Sequence, residues 1–181
     1  LRLPLAGSCT ISGNPTHKRL PSMLADLQYV PDDVYLPPLT AHTWLRCYAP
    51  FYPRFSETRH AELCKSLELE PRQLLGRLSH GQKKKFLLAF ALASGCRVLL
   101  LDEPTNGLDI PTKVVLRALL MEAKTTERVI VLSTHQVRDM AGLIEHVLIL
   151  EQGRLVFDDV VGATVDLEIL FGAVLQGDPA A

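Results

Sequence analysis

Residues 98–109, VLLLDEPTNGLD, restrict what this chain can become more than any other stretch. Four apolar residues, Val98 to Leu101, run straight into two adjacent carboxylates, Asp102 and Glu103. A buried strand that ends in paired acids delivers them to the carboxyl edge of a sheet, where open α/β folds bind ligands. Asp followed by Glu suits nucleotide hydrolysis: one acid holds a metal shell and the next orients a water. A core strand followed by a turn with two solvated acids has the same local pattern, so the flanking residues must decide.

From Arg97 onward the periodicity reads strand–helix–strand. It predicts strands over 97–101 and 128–133 (RVIVLS) with a helix over 110–124 between them. That unit makes a parallel sheet whose strands end on one edge. A short helix is expected near 136–142. HVLILEQGRLVF reads as a hairpin turning at Gln152-Gly153, and a last helix is expected over 160–175. Upstream, SCTISG (8–13) and DLQYV (26–30) read as short strands, the second stopped by Pro31. Between Asp32 and Leu78 prolines, aromatics and helix-period charge predict helices over 40–48 and 56–68, the second capped by Ser56. Tyr48, Phe51, Tyr52 and Phe55 serve either local packing or an exposed docking face.

Two further motifs carry chemistry. LSHGQ, Leu78 to Gln82, precedes KKKFLLAFALA, and Ser79 is a good N-cap for a helix to about Ala93. A helix amino terminus offers free N–H groups and partial positive charge, which suits phosphate, and Gly81 permits close approach. An ordinary capped helix with a solvated basic face (Lys83, Lys84, Lys85) fits the same residues. STH at 133–135 puts His135 just past an apolar strand, as a polar cap or as a hydrogen-bonding partner for a phosphate or water. Asp109 before Ile110-Pro111 fits a helix N-cap, and Asn106-Gly107 a turn.

The 181 residues allow one domain with a sizeable core. Hydrophobic residues at 48% against 22% charged describe a folded chain. A net charge of −1 provides no general basic field, so no nucleic-acid partner is expected. Cys9, Cys47, Cys64 and Cys96 form no CxxC pair, which argues against a zinc cluster and for a reduced, cytosolic setting. The longest apolar stretch, 86–101, is interrupted by Ser94, Gly95 and Arg97 and is too short to span a bilayer. Any membrane role is expected to work through a partner.

LSHGQ, VLLLDEP, TNGLD and STH, in this order and spacing, resemble the nucleotide-binding domain of ABC transporters over about residues 1–158. The resemblance implies an α/β fold: a P-loop NTPase-like parallel-sheet core with an inserted helical subdomain (32–85), core strands and helices over 97–158, and a tail over 159–181. It implies ATP and Mg2+ as cofactors. Ser79, His80, Gly81 and Gln82 then form the signature motif, with His80 where the commonest form has glycine. Asp102 lies on the magnesium side of Walker B, Glu103 polarises water, Asp109 belongs to the D-loop and His135 is the switch histidine. Implied partners are a transmembrane permease subunit and a second ABC ATPase subunit, with the chain on the cytoplasmic face of the membrane. Soluble family members that act on DNA or ribosomes, and degenerate subunits that do not hydrolyse ATP, are the alternatives. The chain lacks the long coiled coils and basic linkers of the former, and its intact Asp102-Glu103 pair and His135 argue against the latter.

Two positions depart from the family pattern. The Q-loop glutamine should follow a segment like Tyr29-Val30-Pro31, and Asp32 stands there instead. A carboxylate can hold a metal-bound water but cannot donate an amide hydrogen bond. Gln28 lies four positions too early. In addition, no G-x-x-x-x-G-K-[ST] phosphate loop occurs, and the nearest look-alike, GNPTHK (13–18), lacks the second glycine and the lysine–hydroxyl pair. The expectation is a chain that opens just after that loop, without initiator Met, and that by itself binds ATP weakly.

Overall fold

The computed structural model of the chain describes residues 6–70, 73–162 and 165–175. They fall into two compact units. One takes in the chain up to Gly107 with Ala123–Ser133, the other Leu108–Glu122 with the chain from Thr134 onward.

The first unit opens on a small antiparallel pair, β1 (Thr10–Ile11) and β2 (Asn14–Pro15). Ser12 and Gly13 both have positive φ, +49° and +76°, the two-residue turn whose twist suits a hairpin. The single strand expected over 8–13 therefore folds back on itself. A 3-10 turn at Thr16–Lys18 and the short helix α1 (Pro21–Leu24) follow, neither of them signalled by periodicity. Then come β3 (Leu27–Val30), α2 (Ala41–Tyr48), α3 (Glu57–Ser66), α4 (His80–Ala93) and β4 (Val98–Asp102), with β5 (Val129–Ser133) completing the unit. Hydroxyls start all three of its longer helices. Thr40 accepts from the Thr43 N–H at 3.2 Å, Ser56 from Arg59 at 3.1 Å and Ser79 from Gln82 at 3.2 Å.

β3, β4 and β5 form a parallel sheet in that order, with Leu27 opposite Val98 and Val98 opposite Val129. α4 forms the core of the unit. From Phe86 to Ala93 every side chain is buried, as befits a helix that is apolar all round. Trp44 meets Phe86 and Phe90 edge-on at 5.2 and 4.8 Å, and Tyr52 and Phe55 pack on Phe90. Tyr48 stacks on Trp44 at 4.2 Å. Local packing thus accounts for three of the four aromatics left open above, while Phe51 stays 68% exposed.

At the amino ends of the strands Asp26 acts as a staple. It accepts from the Arg97 N–H at 3.0 Å and from the guanidinium groups of Arg97 and Arg54, and Arg54 also donates to the Gly95 carbonyl at 2.7 Å. Burial alone would raise the Asp26 pKa, but these bonds outweigh it and hold the carboxyl below its usual range.

The second unit contains α5 up to Glu122 (the helix runs Ile110–Ala123), the antiparallel hairpin β6 (His146–Glu151) and β7 (Arg154–Val160), and α6 (Leu167–Leu175). The hairpin turns where expected, with Gln152 at φ +47° and Gly153 at φ +77°. α6 packs Leu167 and Leu170 with Val161, joined by Val137, Val147 and Phe157. It starts later than the expected 160, because β7 keeps Val160. Of that expected helix, residues 163 and 164 lie outside the described residues, as do 1–5 at the start of the chain and 176–181 at the end of the tail. No helix among the described residues is long and apolar enough to cross a membrane.

Candidate active site

The parallel register brings the strand ends together. Val30 lies opposite Leu101, and Asp102 lies opposite Ser133, the last residue of β5. The Asp102 carboxylate accepts from the Ser133 hydroxyl at 2.6 Å and from the Tyr29 phenol at 3.2 Å. Burial first, and then the charge of Asp102, raise the Tyr29 pKa, so the phenol remains a donor. Asp102 thus sits half-buried at the carboxyl edge with its oxygens oriented from both neighbouring strands.

Glu103 leaves the strand at φ +44°, a left-handed conformation uncommon outside glycine. Its backbone is fastened on both sides. Its N–H donates to the Ser133 carbonyl at 3.0 Å. Its own carbonyl accepts from the Asn106 N–H at 3.1 Å and from the Lys84 ammonium at 2.8 Å. Gly107, at φ +75°, completes the turn, and a Cβ there would come within 3.0 Å of the His80 ring. His80 therefore lies against the turn that follows the acid pair.

Asp32 follows Pro31 at the exit of β3. One of its oxygens accepts from Lys84 at 2.5 Å, and both accept from the Asn106 side chain, at 3.1 and 3.2 Å. The Lys84 bond, then the Asn106 bond, hold the Asp32 carboxyl below its usual range. The carboxylate expected beside a metal-bound water is here shared between two protein donors.

Ser79 starts α4 with a full capping box: its hydroxyl accepts from Gln82 N–H, and the Gln82 side chain accepts from Ser79 N–H at 3.0 Å. Helix geometry leaves the N–H groups of His80 and Gly81 pointing forward without an intrahelical acceptor, the pair an anion would use. Ser79 and His80 are exposed, Gly81 and Gln82 half-buried. In the second unit Asp109 caps α5, accepting from Thr112 N–H at 2.8 Å. The exposed His135 sits in a turn closed by the Gln136 N–H on the Thr134 hydroxyl at 2.9 Å.

Sequence reasoning missed Lys84, Asn106, Tyr29 and Ser133 as members of this constellation. Lys84 carried no readable signal: α4 is apolar all round beyond it, so Lys83, Lys84 and Lys85 each fall in helical phase with buried residues, and only the folded chain shows the middle lysine turned inward and 0% exposed. The solvated basic face is therefore limited to its neighbours.

No group of three or more His, Cys, Asp or Glu side chains that could hold a metal occurs among the described residues. A single carboxylate flanked by a serine hydroxyl fits Mg2+, which keeps its waters and takes phosphate oxygens rather than a protein cage.

The sequence profile described as "ABC transporter" matches residues 1–106. The Nod factor export ATP-binding protein I of Burkholderia lata is 30% identical over 177 residues, which is 92% of this chain and 57% of that protein. The chain thus spans little more than half the length of that curated relative. Two solved structures superpose. An ATP-binding subunit of an ABC transporter does so with a TM-score of 0.83 at 24% identity, covering 95% of this chain and 78% of that one. The dimeric post-hydrolysis state of the ATP-binding cassette MJ0796, bound to ADP and Pi, does so with a TM-score of 0.74 at 25% identity, covering 87% and 74%.

Proposed function

This chain belongs to the ABC transporter family, and from that premise we propose that it forms most of an ATP-binding subunit whose ATP hydrolysis drives a membrane permease. The observation that carries the reading is the oriented acid pair at the carboxyl edge of the sheet: Asp102 aimed by Ser133 and Tyr29, and Glu103 fastened by its own backbone. In this reading Asp102 holds the water shell of Mg2+. The bound metal would neutralise charge on the phosphates. Glu103 accepts a hydrogen bond from the attacking water and so orients it. His135, two residues beyond Ser133, takes the switch position by sequence order and donates one hydrogen bond to an oxygen of the transferred phosphate or accepts one from the attacking water.

Ser79, His80, Gly81 and Gln82 present the forward N–H groups of α4 to the nucleotide of a second ATPase subunit in a head-to-tail dimer, homo- or heterodimeric. The dimeric state of a similar ATP-binding cassette bound to ADP and Pi supports a second ATPase subunit as the partner. Asp109 shapes the D-loop as the cap of α5. The permease docks on the helical segment between Asp32 and Lys85, where Tyr35 is 83% and Phe51 68% exposed. That docking places the subunit on the cytoplasmic face of the membrane.

The test is Glu103→Gln in the full-length protein that carries this chain. Turnover should fall by about 10²-fold or more, the usual weight of a positioned proton acceptor, while nucleotide still binds. Steady-state hydrolysis at the normal rate would end the assignment. His135→Ala should also lower turnover strongly.

A further inference from the structure

The geometry points to Lys84, with Asp32 as its counter-ion, as the positioning residue for the Glu103 carboxylate; this rests on Glu103 being the acid that orients water. Lys84 is fully buried. A buried ammonium survives only with close acceptors, and two are in place: the Asp32 carboxylate at 2.5 Å and the Glu103 carbonyl at 2.8 Å. Asn106 closes the ring, its side chain on both Asp32 oxygens and its N–H on the Glu103 carbonyl. The exit of β3, the first turns of α4 and the turn after β4 therefore meet in one charge-matched cluster.

The cluster bonds the peptide whose conformation is least comfortable. Glu103 sits at φ +44°, where a side chain crowds its own backbone. A cation on its carbonyl and the Ser133 carbonyl on its N–H hold it there. Without the cation the peptide can relax, the Cα–Cβ bond turns, and the carboxylate leaves its line to the water. The acid at position 32 also acquires a physical reason: a neutral glutamine there would leave Lys84 buried without a counter-charge, whereas Asp32 neutralises it. Lys84 touches no substrate in this scheme and acts through Glu103.

The test uses the full-length protein and reads ATP hydrolysis, ATP affinity and its Mg2+ dependence, each well below the variant's melting midpoint. Leaving the buried Lys84 ammonium without its partly exposed counter-ion threatens the fold, so the main variant is the neutral double D32N–K84M. It should fold, bind Mg2+–ATP within about twofold of the parent and lose about tenfold or more in kcat, the mark of an interaction made in the transition state. Lys84→Arg, which keeps a cation, should retain kcat within about threefold. If the double variant does not fold, Lys84→Gln against Lys84→Arg decides: Gln should lose kcat where Arg holds it, and equal rates would overturn the proposal. Wild-type kcat in D32N–K84M beside an inactive Glu103→Gln refutes positioning alone. Normal turnover in Glu103→Gln removes the reading beneath it. A raised Mg2+ requirement in D32N–K84M would return Asp32 to the metal and also refute the proposal.

Discussion

His60 lies on α3 against Phe55, Phe86 and Cys64, 5% exposed, and burial pulls its pKa down to about 4 from 6.5. The same environment pushes the Cys64 thiol up to about 11. Between pH 4 and 6.5 the unfolded chain binds a proton at His60 that the folded one refuses, so stability rises with pH across that window. It is lost as pH falls, by about 3 kcal/mol in all. Asp26 and Asp32, both held below the carboxylate value of 3.8, weaken only at lower pH. The melting midpoint should therefore drop between pH 6.5 and 4, and His60→Leu should flatten that slope; an unchanged slope would show the imidazole to be solvated. A second residue is as confined. Gly95 sits at φ +69°, and a Cβ would come within 2.6 Å of the Arg54 Cβ and 2.8 Å of its carbonyl. Gly95→Ala should lose about 2 kcal/mol or more in denaturant titration, from left-handed strain and overpacking of the Asp26 staple. Neither effect is visible from residue type alone, because both depend on what chains distant in sequence place alongside.

Elements were far more legible than their partners. Helices expected over 40–48, 56–68 and 110–124 occur as Ala41–Tyr48, Glu57–Ser66 and Ile110–Ala123, and the strands over 97–101 and 128–133 as Val98–Asp102 and Val129–Ser133. Apolar period and hydroxyl or carboxylate caps are local signals, and they act locally. α1 and the 3-10 turns escaped because four residues carry no period. The expected helix near 136–142 is a single 3-10 turn, Val137–Met140. The cap of α4 makes a direct test. Ser79→Ala removes one of the two reciprocal bonds of its capping box and should cost about 1 kcal/mol of stability, measured by denaturant unfolding. If the N–H groups of His80 and Gly81 bind phosphate, the same variant should weaken nucleotide-dependent dimerisation beyond that cost, which sedimentation would detect.

On the scale of the molecule, β5 stands at the edge of the described sheet with Val129 57% and Val131 49% exposed. A parallel edge carrying bare valines is a template for another strand. Produced alone, this 181-residue stretch should self-associate with rising concentration, and Val131→Lys should suppress it; light scattering that stays flat for the parent would refute this. The acid doublet, the capped start of α4 and the α/β alternation were all written in local order, since each depends on residues a few positions apart and on backbone geometry that repeats. The inward lysine, its carboxylate counter-ion 52 positions upstream and the asparagine that joins them emerged only once the chain had folded. Burial sets the energy of a charge, and no stretch of sequence states which distant side chain will share its cavity.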